Sequence, residues 1–356
     1  MCKKRTADIS QKKEKNAFYK KNICDKIKCM LDTLFFSLNA VLPLISLVVI
    51  GYILRQKNVF TDEFLKIANK FCFRFCFFST MFTSIYNISG FDKAYKDLAL
   101  FAICSIFALM AAGILYAVIF IKDNRQKGVM AQAFYRSNYA IIGIPLVTNL
   151  FGENGTASAA IVLACTIPIY NISAVILLSV WVNDGASKQS PLKILKKIAQ
   201  NPLLQGIFAG FICLLIRPYL HGWTLKDGEV KFIYRTIENL AKITTPLALI
   251  ILGGQFTFSS AAHLLPQITA GVLARLVFSP LLGLAAAHAL FPAFSAREYA
   301  ALIPLFGSPV AVASAIMARE MKNDGELATQ ILVWTTLFSG ITIFIIIVVL
   351  RTLNWL

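Results

Sequence analysis

The chain has 356 residues, of which 57% are hydrophobic and only 15% charged, and its net charge is +17. A soluble domain carries about 25% charged residues. A mean hydropathy of +0.67, with apolar blocks of roughly 20 residues, long enough to cross a bilayer, excludes an ordinary soluble enzyme and predicts a polytopic membrane protein. Basic flanks on such a protein belong to cytoplasmic loops and anionic lipid, not to nucleic acid.

The first 29 residues hold ten Lys/Arg and three acids and read as a basic tail. No short apolar stretch precedes a small-residue cleavage site there, so no cleavable signal peptide is expected. Ten helical spans follow, at about 35–54, 67–87, 98–121, 129–150, 157–181, 202–220, 237–256, 267–290, 298–318 and 328–353. They divide into a first repeat (30–181, spans 1–5), a basic linker (182–201) expected on the cytoplasmic side, and a second repeat (202–356, spans 6–10). Pro43-Leu44-Ile45 followed by Gly51-Tyr52-Ile53 matches Pro202-Leu203-Leu204 followed by Gly210-Phe211-Ile212, an offset of 159 residues. Pro145 and Pro309 are offset by 164. Similar offsets predict an internal repeat. Each half has an odd number of spans, so the second enters the membrane from the opposite side, which makes the repeat inverted.

Orientation is contested within the sequence. An outside N-terminus places thirteen loop Lys/Arg inside and eight outside, as the positive-inside rule favours, but adding the ten of the tail reverses the balance. Translation starting at Met30 would resolve the conflict.

Candidate chemistry lies in the spans. Pro145 and Pro309 sit deep inside apolar runs. A helix-interior proline costs roughly 3 kcal/mol, and in lipid the freed carbonyl must face protein or a water-filled cavity. Broken helices at corresponding places in two halves point to a transporter's binding site. A helix restarting after Pro145 would aim N–H groups and a positive dipole end at the break, an anion site. Asn138 supplies an amide donor for a carboxylate, and Gly143 permits close backbone approach. Gly307, Ser308, Pro309 and then Ser314 repeat the arrangement. The competing reading is a plain proline kink, which membrane helices tolerate.

No Asp or Glu falls in the middle of a span, so a carboxylate proton relay is not expected, while ion coupling stays open. Arg74 and Arg136 divide between a role at the site and snorkelling to an interface; Lys242 and Arg275 read as snorkelling. Asn171, Thr335, Thr336 and Ser339 divide between substrate contact and interhelical hydrogen bonding. Cys72 and Cys76, four residues apart, have no neighbouring His or acid and read as packing. His221, His263 and His288 are scattered. No metal or cofactor is therefore expected. GxSxG, HExxH and GxxxxGKS/T are absent, so no enzyme is expected.

At Arg136-Ser137-Asn138 through Gly143-Ile144-Pro145-Leu146 the chain resembles the auxin efflux carrier family, meaning plant carriers and their bacterial permease relatives. The same order continues through Asn201-Pro202-Leu203, Thr245-Pro246-Leu247-Ala248-Leu249, Ser308-Pro309, Ala318-Arg319-Glu320 and Trp334 to Ser339. The short linker is similar to that of the bacterial permeases. The resemblance implies an all-α membrane protein of ten transmembrane helices in two inverted five-helix repeats. Its fourth and ninth helices would break and cross at Pro145 and Pro309, with Asn138 as the carboxylate-contacting asparagine. It further implies small organic anions as substrates and a homodimer. The chain departs from the family at Phe78, where the second span usually carries a proline, and near Phe344 in the tenth.

These readings converge on a secondary transporter of a small organic anion working by alternating access across the cytoplasmic membrane. The proposed substrate-binding residues are Arg74, Arg136, Asn138, Gly143, Pro145, Gly307, Ser308 and Pro309. Partners are the organic anion and membrane lipids. The rivals are a sodium-coupled symporter of related fold, a channel and a membrane-embedded sensor.

Overall fold

The computed structural model describes residues 31, 34–35, 37–88, 93–181, 199–220, 225–226 and 230–356. The expectations placed on the tail, on Met30 as a start and on most of the linker lie outside these residues. Among the described residues every regular element is helical. In chain order they are α1 (Ser37–Gln56), α2 (Asp62–Phe71), α3 (Phe77–Tyr86), α4 (Lys96–Phe120), α5 (Asn124–Tyr135), α6 (Tyr139–Phe151), α7 (Thr156–Val180) and α8 (Pro202–Ile216). Then come α9 (Lys231–Gly254), α10 (Phe258–His263), α11 (Leu265–Leu273), α12 (Ser279–Leu290), α13 (Ala296–Gly307), α14 (Val312–Glu320) and α15 (Gly325–Thr352). One wide π turn, Cys72–Cys76, joins α2 to α3, and another, Ala274–Phe278, joins α11 to α12. Six helices are long and apolar enough to cross a bilayer: α1, α4, α7, α9, the continuous α11–α12 and α15.

Polar residues set the helix starts. Thr61 Oγ1 accepts from the Phe64 amide at 3.1 Å, and Asp62 and Glu63 occupy the positive first turn of α2. Asp123, Asn201 and Asp324 cap α5, α8 and α15 in the same manner, and Ser295 with Glu298 forms a capping box on α13. Pro202 stands at the first position of α8, where its missing N–H is no loss.

Small residues set the helix contacts, because lipid gives apolar helices no hydrophobic reason to associate and close packing must do so. A Cβ on Gly210 would come within 2.8 Å of the Phe82 carbonyl oxygen, and one on Gly206 would collide with that of Phe78, so α8 lies directly on α3. On α1 and α9, Gly51 faces the Ile250 carbonyl and Gly253 faces the Val48 carbonyl. Gly253→Val is expected to lower the melting temperature by several degrees, since overpacking costs about 1–3 kcal/mol. Size-exclusion chromatography of heated samples measures this; an unchanged midpoint would mean that α1 and α9 separate freely.

The outer surface is apolar: Ile119, Phe120, Leu281, Leu282 and Ile345 are each more than half exposed. In water that would be a liability; in a bilayer these side chains meet acyl chains. The interior is the reverse. Every residue from Tyr299 to Gly307 in α13 and from Val312 to Ala318 in α14 is buried, which places those half-helices at the centre of the molecule.

Two sequence pairings do not survive. Pro43 lies inside α1 whereas Pro202 begins α8. Pro145 lies in the interior of α6 whereas Pro309 stands in the non-helical link between α13 and α14. The helix therefore does not restart after Pro145. It breaks earlier, at Arg136-Ser137-Asn138. The physical reason is that one proline removes a single i→i−4 bond, which a helix can absorb, whereas a true break needs several consecutive backbone groups satisfied elsewhere.

Candidate functional site

Those backbone groups are satisfied by a second break. The segments 136–138 and 308–311 run antiparallel and pair at Ser137 and Val310. The Asn138 amide donates to the Pro309 carbonyl at 2.8 Å, and the Ala311 amide donates to the Arg136 carbonyl at 3.2 Å. The Val310 amide donates to Thr335 Oγ1 on α15 at 3.3 Å. An unpaired buried backbone group in lipid costs several kcal/mol; here two unwound segments satisfy each other. Pro309 suits its position because it has no N–H needing a partner while its carbonyl is used. Thus α5–α6 and α13–α14 are two interrupted helices held together at their interruptions.

Each interruption brings one helix C-terminus and one helix N-terminus to the crossing. The starts of α6 and α14 carry positive dipole ends, and the last turns of α5 and α13 negative ones. Around them lie polar side chains from four helices. Arg136 is 1% exposed. Its Nη1 donates to Gln132 Oε1 at 2.8 Å and contacts Met317 Sδ at 3.1 Å, and its Nη2 donates to Asn171 Oδ1 at 2.7 Å. Its Nε has no hydrogen-bond partner among the described residues. Tyr170 Oη and Ser137 Oγ lie 3.1 Å apart, and Tyr139 Oη donates to the Ala301 carbonyl at 3.1 Å. Asn138 Nδ2, Ser308 Oγ and Ser314 Oγ are buried without a hydrogen-bond partner among the described residues. α5, α6 and α7 contain no Asp or Glu, and among the described residues Arg136 has no ion-pair partner. The crossing is a low-dielectric site with buried guanidiniums and spare donors, and among the described residues no carboxylate pairs with Arg136.

The sequence candidates separate on this geometry. The crossing brings together Arg136, Asn138, Ser308 and Pro309, with Ser314 following on α14. Gly143 makes room for the ring of Tyr139, whose Cδ1 would lie 2.7 Å from an added Cβ. Gly307 makes room for Ile346 of α15, 2.6 Å from such a Cβ. Gly143 thus accommodates a ring of its own helix, and Gly307 lets α13 pack against α15. Pro145 stands within α6, past the break. Arg74, in the first π turn, lines a separate cavity of about 690 Å³ bounded also by Asn201, Gln205, Glu320 and Lys322. Lys242 is exposed and ion-paired to Glu238 at 3.3 Å. Asn171 holds Arg136, and Thr335 receives the Val310 amide. Thr336 and Ser339 each donate to a carbonyl of their own helix.

Arg275 overturns its sequence reading. It does not snorkel; it is wholly buried, with all its nitrogens on backbone carbonyls of the two interrupted helices. Sequence reasoning also missed Gln132, although its place one turn before Arg136 was a usable signal, and Met317, which no pattern marks.

A sequence profile described as "Membrane transport protein" matches residues 36–347. The chain belongs to that family, whose members are of the auxin efflux carrier kind. It is 25% identical over 312 residues to an uncharacterized transporter of Methanothermobacter thermautotrophicus, covering 86% of this chain and 96% of that one. It is 26% identical over 221 residues to an uncharacterized transporter of Methanocaldococcus jannaschii, covering 61% and 68%. The protein is thus a multi-pass membrane protein and a permease-type transporter with a small-molecule substrate.

Proposed function

We propose that the protein is a secondary transporter of small organic anions, bound at the crossing of α5–α6 with α13–α14 and moved by alternating access. The observation that carries this reading is the buried, carboxylate-free Arg136 beside the unpartnered Asn138 Nδ2. A buried guanidinium with only neutral partners is costly, and a substrate carboxylate would supply the missing charge and accept from the spare donors. Ser308 and Ser314 add hydroxyls, and Arg74 adds positive potential in the cavity near α8. Gly143, Pro145, Gly307 and Pro309 shape the interrupted helices around the substrate.

The reading includes ten spans in two inverted five-helix repeats. In support, α9, α11 and α15 begin 169 residues after α2, α4 and α7 respectively. The repeats, joined by the linker 182–201, would rock about the crossing. A homodimer is part of the same reading; light scattering of the purified protein measures it.

The sodium-symporter alternative is disfavoured by the same charges. A cation site beside two buried guanidiniums would have to overcome their repulsion without a carboxylate. Counterflow of radiolabelled malonate in proteoliposomes, with and without sodium, is the test. Saturable, sodium-independent exchange is expected. Sodium-dependent uptake would establish the symporter, and flux without saturation or counterflow would establish a channel. A thermal-shift screen of mono- and dicarboxylates extends the test, because a ligand at a hundred times its Kd stabilises by about 2.7 kcal/mol.

A further inference from the structure

We infer that Arg275 is the positioning residue of the crossing: one guanidinium that fastens the C-terminal ends of both interrupted helices and cancels their negative charge. Arg275 Nε donates to the Ser308 carbonyl at 2.8 Å, Nη1 to the Phe134 carbonyl at 3.3 Å, and Nη2 to the Leu305 carbonyl. Phe134 belongs to the last turn of α5. Leu305 belongs to the last turn of α13, and Ser308 follows it. The contacts therefore join two helices that are 141 and 30 to 33 residues away in sequence.

The arrangement answers a specific problem. A helix end leaves four carbonyls without intrahelical partners and carries about half a negative charge. Two such ends meet here, away from water. Left bare, they would repel each other and any anion. Arginine has five donors in a planar fork and stays charged when buried, so one side chain can serve three carbonyls on two helices. The π turn Ala274–Phe278 that bears it is a widened turn of the kind found at functional sites. With the negative ends covered, the field at the crossing is that of Arg136 and the starts of α6 and α14. Arg275 thus acts through Ser308, Asn138 and their paired backbone, not by touching a substrate.

Hydrogen–deuterium exchange of the full-length protein in nanodiscs tests this without any substrate, so its outcome is independent of the transport reading above. In Arg275→Met, peptides covering 132–140 and 304–312 are expected to exchange at least tenfold faster, with 62–86 and 202–216 unchanged. Arg275→Lys, which keeps a charge opposite the carbonyls, should restore most of the protection. Wild-type exchange at both crossing segments in Arg275→Met would overturn the inference, as would equal exchange in the Met and Lys variants. If Arg275→Met does not accumulate, Arg275→Lys decides alone: exchange faster than wild type at both 132–140 and 304–312, with 62–86 and 202–216 unchanged, supports the inference, and wild-type exchange at either crossing segment overturns it. With malonate as the counterflow probe, Arg275→Met should raise KM at least tenfold with the maximal rate within twofold, and Arg275→Lys should recover most of the wild-type KM. A wild-type protein that carries no malonate would refute that substrate and leave the exchange result standing.

Discussion

Asn138→Ala is expected to cut anion flux at least tenfold without reducing the amount of folded protein. Asn138 Nδ2 is buried and has no hydrogen-bond partner among the described residues, so its removal takes away a desolvated donor and breaks no hydrogen bond made by that nitrogen. The bond that holds the crossing, from the Asn138 amide to the Pro309 carbonyl, belongs to the backbone and survives in alanine. Alanine also accommodates the φ of −83° and ψ of 45° at this position. What disappears is a donor to a charged ligand, and such a bond contributes about 1.5–3 kcal/mol, a factor of roughly ten to a hundred. Counterflow normalised to the monodisperse protein peak measures it. Full flux per folded molecule would remove Asn138 from the substrate site.

Arg136→Met should separate stability from transport more sharply still. The guanidinium is held by Gln132, Asn171 and Met317, all neutral. Burying a charge without an opposite charge is expensive, and replacing a buried charge by an apolar side chain of similar volume is often neutral or stabilising. The melting temperature is therefore expected to hold or rise, with the freed Gln132 and Asn171 amides offsetting part of the gain. Anion flux should fall at least a hundredfold, because the charge that attracts the substrate is gone. Arg136→Lys keeps the charge but loses the fork and should recover flux only partly. A Met variant that transports normally would make Arg136 purely structural.

Much of the architecture was readable from the chain. The helical stretches that the structure places at Asp62–Tyr86 and Lys96–Phe120 were visible as apolar blocks at about 67–87 and 98–121, whereas the caps that set helix starts, such as Thr61 and Asp123, were not singled out. These are local signals, one helix turn or one bilayer thickness long. The motif Arg136-Ser137-Asn138 was recognised, but the break was assigned to the nearby Pro145. Proline is the residue that most visibly disrupts a helix in a sequence; the actual break is made by residues that nothing marks locally, since the Arg136 carbonyl and the Asn138 amide are satisfied from a segment some 170 residues away.

The two arginines show the same division. Arg136 and Arg275 look alike in sequence, each a lone cation in an apolar span. Their roles differ because of what folds against them: side-chain amides and a thioether for Arg136, the exposed carbonyl ends of two helices for Arg275. Composition and hydropathy determined that this is a polytopic membrane protein, because a bilayer imposes span length and apolar content on each helix separately. Where the helices are interrupted, and which cation faces the crossing, was decided by tertiary structure alone. In lipid an unwound backbone persists only when its partners arrive from elsewhere in the fold, and no local stretch of sequence records that meeting.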